Sequence, residues 1–207
     1  MLQDKLPPAI PLWINGHVFL TVTPSFHEVR NPQSGDVLRR VPLCGTEEVQ
    51  MAVAVAQAAL APWTGLPVEA RMALLSALGD ALAGYGEHFA RLITEESGKE
   101  LSQCSAEVDE SVALLRSAVG NEDAGVVAVI GNNPDPLLAS LRQAIPALAA
   151  GAVLIVRPSP EAPSALFALA ELTGRCGFPD GVFNIVHGGE LLVDSLCASN
   201  GVRLKYS

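Results

Sequence analysis

Three short apolar runs alternate with two longer segments between residues 125 and 188. The runs are GVVAVI, AVLIVRPS and VFNIVHG, and the segments between them, PLLASLRQAIPALAAG and ALFALAELTGRCG, have helical length. Strands separated by helices in this order predict a parallel sheet with crossover helices. The chain is therefore predicted to have an α/β fold, and its ligands are expected where the strands end.

The strand ends carry polar residues and glycines that are candidates for a binding site. They read Gly131-Asn132-Asn133-Pro134, Arg157-Pro158-Ser159 and His187-Gly188-Gly189. No strand is followed by a G-x-G-x-x-G sequence, so a glycine-rich phosphate cradle is not predicted. His187 is interpreted as a hydrogen-bonded loop histidine rather than a ligand.

Composition and charge argue against several classes of partner. The 207 residues carry a net charge of −9, with a pI of about 4.8 and only 5% aromatic residues. Nucleic acids and anionic membranes both favour a basic surface, so neither is expected as a partner. No apolar run reaches the roughly 18 residues of a membrane span, and MLQDKLPPAIPLW does not have the pattern of a signal peptide. A cytoplasmic location is expected.

The four cysteines are predicted to have structural roles. Cys44, Cys104, Cys176 and Cys197 are far apart, form no C-x-x-C pair and have no histidine at ligand spacing. Neither a metal site nor a disulfide framework is therefore expected. Cys176, in GRCGFPDG, is interpreted as a packing residue at a helix end, and no cysteine is assigned as a nucleophile.

Residues 1–120 are predicted to form a β-hairpin followed by a helical layer, and residues 121–207 the sheet region, the two together making one compact unit. WINGHVF contains the pair Asn15-Gly16, which favours a two-residue turn. The first helix is predicted to begin at Thr46, whose hydroxyl is a capping acceptor, and to break near Pro62. Three further helices are predicted before residue 120.

The order and spacing of several segments resemble the N-terminal half of the aldehyde dehydrogenase superfamily. The segments are VRNPQSGDVLRRVP, TEEVQMAVAVAQAALAPW, PVEARMALLSALGDAL, LITEESGKE, GVVAVI, IPALAAGAVLIVRPS and GFPDGVFNIVHGG. The resemblance implies a Rossmann-like region from Gly125 onward that holds NAD or NADP across the strand ends. It also implies the family reaction, in which an aldehyde is oxidised through a thiohemiacetal on a cysteine.

The family motif after the first of these strands is Pro-Trp-Asn-Phe-Pro, whose Asn helps to hold the developing oxyanion. A match without gaps places the segment from Asn132 to Pro136 on these five positions. Pro134 then stands where the oxyanion Asn is expected, and proline has no side-chain or backbone donor. Asn133 lies one residue too early for that role.

The family motif after the second strand is Lys-Pro-Ser-Glu, whose Lys and Glu hold the adenosine ribose. Arg157 and Ser159 match within it, but Pro160 replaces the acid, and Glu161 is the neighbouring candidate to replace that acid. Gly188 matches a glycine that lies against the cofactor. The residues predicted to bind cofactor are Asn133, Arg157, Ser159, Glu161 and Gly188.

Arg157 has two interpretations at this stage. A planar guanidinium at a strand end can bind a phosphate or a ribose, or it can form a surface ion pair with Glu161. The arginine and the missing acid both lean toward the 2′-phosphate of NADP. NAD, NADP and lost cofactor binding nevertheless all remain open.

Three functional hypotheses follow. The family's nucleophilic Cys, general-base Glu and pyrophosphate contact are expected beyond VRLKYS, and only residues 121–124 stand where the family has an oligomerisation arm. The first hypothesis is therefore a non-catalytic subunit or pseudoenzyme that binds NAD or NADP weakly or not at all. The second is the N-terminal fragment of a longer aldehyde dehydrogenase. The third is a structural partner that adds an unfinished sheet edge, at VRLKYS, to another subunit or to a second copy.

Overall fold

The predicted α/β fold is confirmed by the structure, a computed structural model that describes residues 6–120, 123–132 and 134–207. The strands are β1 (Leu12–Ile14), β2 (His17–Phe19), β3 (Phe26–Arg30), β4 (Val37–Pro42), β5 (Val126–Ile130), β6 (Val153–Arg157), β7 (Phe183–Ile185) and β8 (Val202–Tyr206). The helices are α1 (Thr46–Thr64), α2 (Val68–Gly84), α3 (Gly86–Ser97), α4 (Leu101–Arg116), α5 (Leu138–Ala150), α6 (Ser164–Arg175) and α7 (Glu190–Cys197).

β5 lies inside the parallel part of the main sheet. The strand order is β2-β1-β7-β6-β5-β8, with β5 to β8 parallel and β1 antiparallel to both β7 and β2. The chain moves outward from β5 through β6 to β7, and α7 then returns it to β8 on the other side of β5. The strand order therefore reverses at β5, and in sheets of this kind a ligand cleft forms beyond the carboxyl ends of the strands at that point.

Burial on both faces explains why the central strands are continuously apolar. All five residues of β5 are buried, as are the first four residues of β6. α5 and α6 pack on one face of the sheet and α1 and α7 on the other. A strand covered on both faces has no solvent side on which polar residues would alternate. α2, α3 and α4 form a further helical layer, which packs against α5 and α6.

The first region contributes directly to the main sheet. β1 pairs with β7 through Trp13 and Ile185, so the hairpin of β1 and β2 extends the sheet formed by the later residues. β3 and β4 pair separately in a two-stranded sheet. The division of the chain at residue 120 stays a prediction.

The predicted turn at Asn15-Gly16 is confirmed. Ile14 pairs with His17 across a two-residue connection. Both turn residues have positive φ, 56° at Asn15 and 74° at Gly16, which is the conformation that an Asn-Gly pair adopts most readily.

α1 begins at Thr46, as predicted, but the capping role predicted for the Thr46 hydroxyl is wrong. The N-cap is Gly45 rather than Thr46: the Gly45 N–H donates to Glu48 Oε2 over 3.0 Å, and the Thr46 hydroxyl instead lies 3.1 Å from that of Ser195. The predicted break near Pro62 agrees with the structure, in which the helix ends at Thr64. Proline removes a backbone hydrogen bond and crowds the preceding turn, and here it lies in the last turn of the helix.

None of the helices in the described residues is long and apolar enough to cross a membrane by itself. α1 and α2 reach that length and composition only when they are counted together, and the two are bent by 118° at their junction.

Candidate functional site

A cleft of about 470 Å³ opens at the carboxyl ends of the parallel strands, where the strand order reverses. We call it the strand-end cleft. Its lining residues come from the ends of β5, β6 and β8 and from α7; they are Ile130, Asn132, Arg157, Glu190, Val193, Asp194 and Tyr206. The volume lies within the range of about 300–1,000 Å³ that is usual for small-molecule sites.

A larger groove of about 590 Å³ lies between α1 and α7. Its lining includes Val53, Gln57 and Ser199, and Asp194 is the one ionisable residue among the described residues that line it. We regard the strand-end cleft as the stronger candidate because strand ends, both signs of charge and an aromatic ring meet there.

Arg157 ties the ends of three strands together. Its Nε donates to the carbonyl of Gly188 over 2.9 Å, and its Nη1 donates to that of Gly131 over 3.3 Å. Partial burial lowers the pKa of the guanidinium from its ordinary value, but not to a range where an arginine loses its charge. The side chain therefore brings a fixed positive charge to the cleft while it holds the loops after β5 and β7.

Glu161 makes its contact elsewhere. Its Oε1 lies 3.1 Å from Nε2 of His27, which belongs to β3. Within the part of the chain that the structure describes, no carboxylate lies within ion-pair distance of Arg157. The alternative interpretation of Arg157, a surface pair with Glu161, is therefore wrong, because backbone carbonyls take the guanidinium donors instead.

Gly188 and Gly131 allow the strand ends to pack closely. A Cβ on Gly188 would lie 2.7 Å from Cβ of Leu192 and 3.0 Å from the carbonyl oxygen of Cys44. A Cβ on Gly131 would lie 3.0 Å from the backbone nitrogen of Ser159, which is itself buried. The structure thus gives Gly188 and Ser159 packing roles among the strand ends, and their contact with a cofactor stays a prediction.

The loop after β5 contains the motif position of the oxyanion donor. Asn133 lies outside the described residues. Its neighbour Asn132 lines the cleft and is exposed, and the Asn132 N–H donates to Ser207 Oγ over 3.3 Å. Pro134, which follows Asn133 in the chain, is exposed.

His187 is a buried structural residue, as the sequence indicated. Only 2% of its surface is exposed, and its Nε2 lies 3.1 Å from the carbonyl oxygen of Pro11. Burial lowers its pKa to about 4, and the nearby charge of Arg157 acts in the same direction, although the contact with Pro11 opposes both. The imidazole is therefore neutral at physiological pH and donates to Pro11.

Two acids of the helical layer cap the helices that follow β5 and β6. Oε1 of the buried Glu107, on α4, accepts the backbone N–H groups of Leu137 (2.9 Å) and Leu138 (3.2 Å) at the start of α5. Its Oε2 lies 2.7 Å from Nζ of Lys99, which also lies 2.7 Å from Asp135 Oδ1 in the loop after β5. Both acids raise the pKa of Lys99 against the effect of burial, so the amine stays charged.

Glu96 plays the equivalent role at α6. Its Oε2 accepts the Ser164 N–H over 3.0 Å, and its Oε1 accepts the Ser164 hydroxyl and lies 3.1 Å from Nη1 of Arg39. Burial raises the pKa of this carboxyl, although Ser164 and Arg39 oppose that effect. The N-termini of α5 and α6 are thus both closed by carboxylates of the chain itself.

Sequence reasoning missed the cleft residues of α7 and β8. Glu190 and Asp194 are four residues apart on α7, a spacing that places both on one face of the helix, and this face lines the cleft. Tyr206 exposes 58% of its surface there. Hydrogen bonding to Cys197 and, less strongly, the charge of Asp194 raise the pKa of Tyr206, so its hydroxyl stays protonated. The helical spacing of the two acids after a strand end was the signal that could have found this face.

Two of the thiols are poorly placed for nucleophilic chemistry. Burial and the charge of Glu48 raise the pKa of Cys44 to about 12, although a backbone contact with His187 opposes them. Burial also raises the pKa of Cys176. At these two positions the environment favours the thiol over the reactive thiolate. Cys104 is fully buried, and Cys197 is exposed. Among the residues the structure describes, no group of three His, Cys, Asp or Glu side chains is arranged to hold a metal ion.

Known proteins resemble this chain across most of its length. The model of the "Aldehyde dehydrogenase family" matches residues 21–124 and 117–204. The chain is 31% identical to the succinate-semialdehyde dehydrogenase [NADP(+)] of Escherichia coli, a match that covers 87% of this chain and 42% of that protein. It is 30% identical to the 3-sulfolactaldehyde dehydrogenase of Pseudomonas putida, with coverage of 86% and 41%.

Solved structures show the same architecture. An NADP-dependent enzyme of E. coli superposes with a TM-score of 0.88 at 29% identity, over 95% of this chain and 46% of that one. Aldehyde dehydrogenase C of Pseudomonas syringae, solved as a variant with NAD+ and octanal, superposes with a TM-score of 0.85 at 26% identity, over 95% and 44%. The chain thus spans less than half the length of these relatives. Because the family model covers most of the chain, this protein belongs to the aldehyde dehydrogenase family.

Proposed function

We propose that this chain forms the nucleotide-binding part of an NAD(P)-dependent aldehyde dehydrogenase and holds the adenosine end of the dinucleotide in the strand-end cleft. The observation that carries the proposal is the position of this cleft at the reversal of strand order, with Arg157 fixed at its base. Nucleotides bind at this place in open α/β sheets.

The donor set of the cleft fits an adenosine. Carboxylates of Glu190 and Asp194 accept hydrogen bonds from hydroxyl groups, and the amide of Asn132 both donates and accepts. The exposed ring of Tyr206 offers an apolar face to a base. When bound, the dinucleotide supplies a hydride acceptor, and the protein supplies its position and electrostatics.

The first experiment asks whether the cleft binds NAD or NADP at all. Isothermal titration calorimetry of the chain with each dinucleotide should show saturable binding. Val193→Phe, which fills the cleft from the half-buried face of α7, should abolish it. Ala54→Phe adds the same ring to an exposed position of the groove between α1 and α7, and it should leave binding unchanged.

Thermal unfolding of both variants shows whether the added ring disturbs the fold. Equal loss of binding in both variants, or no binding by the unaltered chain at ligand concentrations of millimolar order, would contradict the proposal. A ligand present at about 100 times its Kd adds about 2.7 kcal/mol of stability, so the melting temperature provides a second reading.

We propose further that this chain contributes little to oxyanion stabilisation. Pro134 stands at the family position of the Asn donor, and its ring nitrogen carries no hydrogen. Loss of one oxyanion donor costs about 100- to 1,000-fold in turnover. This supports a non-catalytic subunit or pseudoenzyme.

The alternative is the N-terminal part of a longer aldehyde dehydrogenase, which the coverage of about 40% of its relatives favours. Sequencing the reading frame beyond Ser207 distinguishes the two. If a catalytic continuation follows, turnover of an aldehyde by the whole polypeptide should be low, and Pro134→Asn should raise it while Pro134→Ala should not. Rapid turnover by the unaltered polypeptide would contradict the role assigned to Pro134.

A second candidate function is assembly through β8. This strand lies at the edge of the sheet, its Val202 and Leu204 are only partly buried, and Tyr206 is exposed. Edge strands of this kind pair with further strands. The proposed partner is a strand of another subunit or of a second copy. Size-exclusion chromatography with light scattering should give a mass above the 21.6 kDa of one chain, and Leu204→Lys should restore the monomer.

A further inference from the structure

Two acids and one arginine set the charge of the strand-end cleft. Glu190 is the first residue of α7 and is exposed, and Asp194 follows one turn later on the same face. Arg157 is the only cation among the residues that line the described cleft. The cleft therefore carries one more negative than positive charge, within a chain whose net charge is −9.

Arg157 is held back from an anion by its own hydrogen bonds. Its Nε and Nη1 donate to the carbonyls of Gly188 and Gly131. A side-on bidentate contact with a phosphate, through Nε and Nη2, would take the donor away from the Gly188 carbonyl. A buried acceptor that loses its donor is costly, so the existing arrangement competes with that mode of phosphate binding.

The acid that follows β6 in the family is missing here, and its neighbour cannot easily replace it. Pro160 stands at that position, and Oε1 of Glu161 lies 3.1 Å from Nε2 of His27 on β3. α7 instead brings Glu190 and Asp194 to the cleft. An ionised carboxylate only accepts hydrogen bonds, so it binds the hydroxyl groups of a ribose and repels a phosphate at the same place.

We infer that α7 makes the strand-end cleft selective for NAD over NADP, with Glu190 and Asp194 accepting the adenosine ribose hydroxyls and excluding a 2′-phosphate. The inference rests on the proposed function of the cleft and specifies its cofactor. It reverses the preference for NADP that Arg157 and Pro160 suggest from sequence, because the structure adds two acids to the cleft and commits two of the five arginine donors to carbonyls.

Calorimetric titration with NAD and NADP tests the inference without any catalytic readout. The unaltered chain should bind NADP at least about tenfold more weakly than NAD, a modest effect for two like charges brought together. In the double variant Glu190→Gln and Asp194→Asn, NAD should bind more weakly and NADP more tightly, so that the two affinities converge. The selectivity of the unaltered chain should also shrink as salt is added.

The matched control removes the same two charges elsewhere. Glu47→Gln lies in the first turn of α1, as Glu190 does in α7, and Asp109→Asn lies on an exposed face of α4. This control should retain the preference for NAD, because the overall charge changes equally but the cleft does not. Unfolding curves verify that both double variants fold.

The outcomes separate the inference from the proposal beneath it. Equal affinities in the unaltered chain, tighter binding of NADP, or an unchanged ratio in the cleft variant would overturn the selectivity assigned to α7 while the nucleotide site itself stands. Absence of binding by either dinucleotide would overturn the nucleotide site, and the selectivity with it.

Discussion

The helices that follow β5 and β6 differ from the helix that follows β7. The N-termini of α5 and α6 are closed by buried carboxylates, Glu107 and Glu96, which come from the helical layer. Among the residues that the structure describes, none of the carboxylates of that layer caps α7, and its first residue, Glu190, is exposed and lines the cleft. The N-termini of α5 and α6, on one face of the sheet, therefore contribute to stability, whereas the N-terminus of α7, on the other face, is open to a ligand.

The largest effect on stability is expected when the carboxylate that caps α5 is removed. Glu107→Ala leaves the charged Lys99 and two N–H groups of α5 without their buried acceptor, and the free energy of unfolding should fall by about 3–5 kcal/mol. Urea denaturation measures the change. Glu110→Ala is the matched control, because its ion pair with Arg142 is exposed, and it should cost about 1 kcal/mol or less. Similar decreases in the free energy of unfolding of both variants would mean that the buried cap of α5 contributes no more than an exposed ion pair.

A smaller effect is expected at the junction between β7 and α7, where two adjacent glycines differ. Gly188→Ala forces a Cβ against Leu192 and the Cys44 carbonyl, and overpacking of this kind costs about 1–3 kcal/mol. A Cβ on Gly189 meets nothing within 4 Å, so Gly189→Ala should cost under about 1 kcal/mol, as for a helix-capping glycine. The pair is compared by thermal or urea unfolding. A larger cost at Gly189 would contradict the packing role of Gly188.

The smallest expected effect is the pH dependence of stability that Glu96 causes. Burial raises the pKa of Glu96 above its ordinary value of 4.5, so the folded state holds this proton more tightly than the unfolded state. The contribution of the carboxyl to stability is therefore largest below pH 4.5 and decreases as the pH rises through the folded pKa. The stability of the unaltered chain relative to Glu96→Gln should fall over that interval.

The charge control for this measurement is Glu95→Gln, which removes the neighbouring exposed carboxylate that also contacts Arg39. Both series are followed by urea unfolding at several pH values. A relative stability that grows with pH in the Glu96→Gln series would reverse the sign and contradict the prediction.

Local sequence patterns were sufficient to predict much of the fold. The short apolar runs of β5 and β6 indicated strands of a parallel sheet, and Asn15-Gly16 indicated a hairpin, because both signals depend on residues close together in the chain. The predicted break near Pro62 also depended on a local property of the chain, and α1 ends at Thr64.

The cleft was only half predictable. Asn132 and Arg157 were found because they stand where apolar strands end. Glu190, Asp194 and Tyr206 were not, because their place at the cleft depends on the return of the chain from β7 to the far side of β5. The contacts of Arg157 with carbonyls and of Glu161 with His27 were also invisible, since they join residues that are distant in sequence.

Apolar periodicity and short motifs act over neighbouring residues, so they were enough to predict the strands and helices from β5 to β7, the family and the edge of the sheet at which a ligand is expected. Which charges meet at that edge depends on packing across the whole chain. Lys99, Glu107 and Asp135 come together, and α7 turns its acids to the cleft, through packing between elements far apart in the chain. Electrostatic interactions depend on distance and burial, and those are properties of the folded chain.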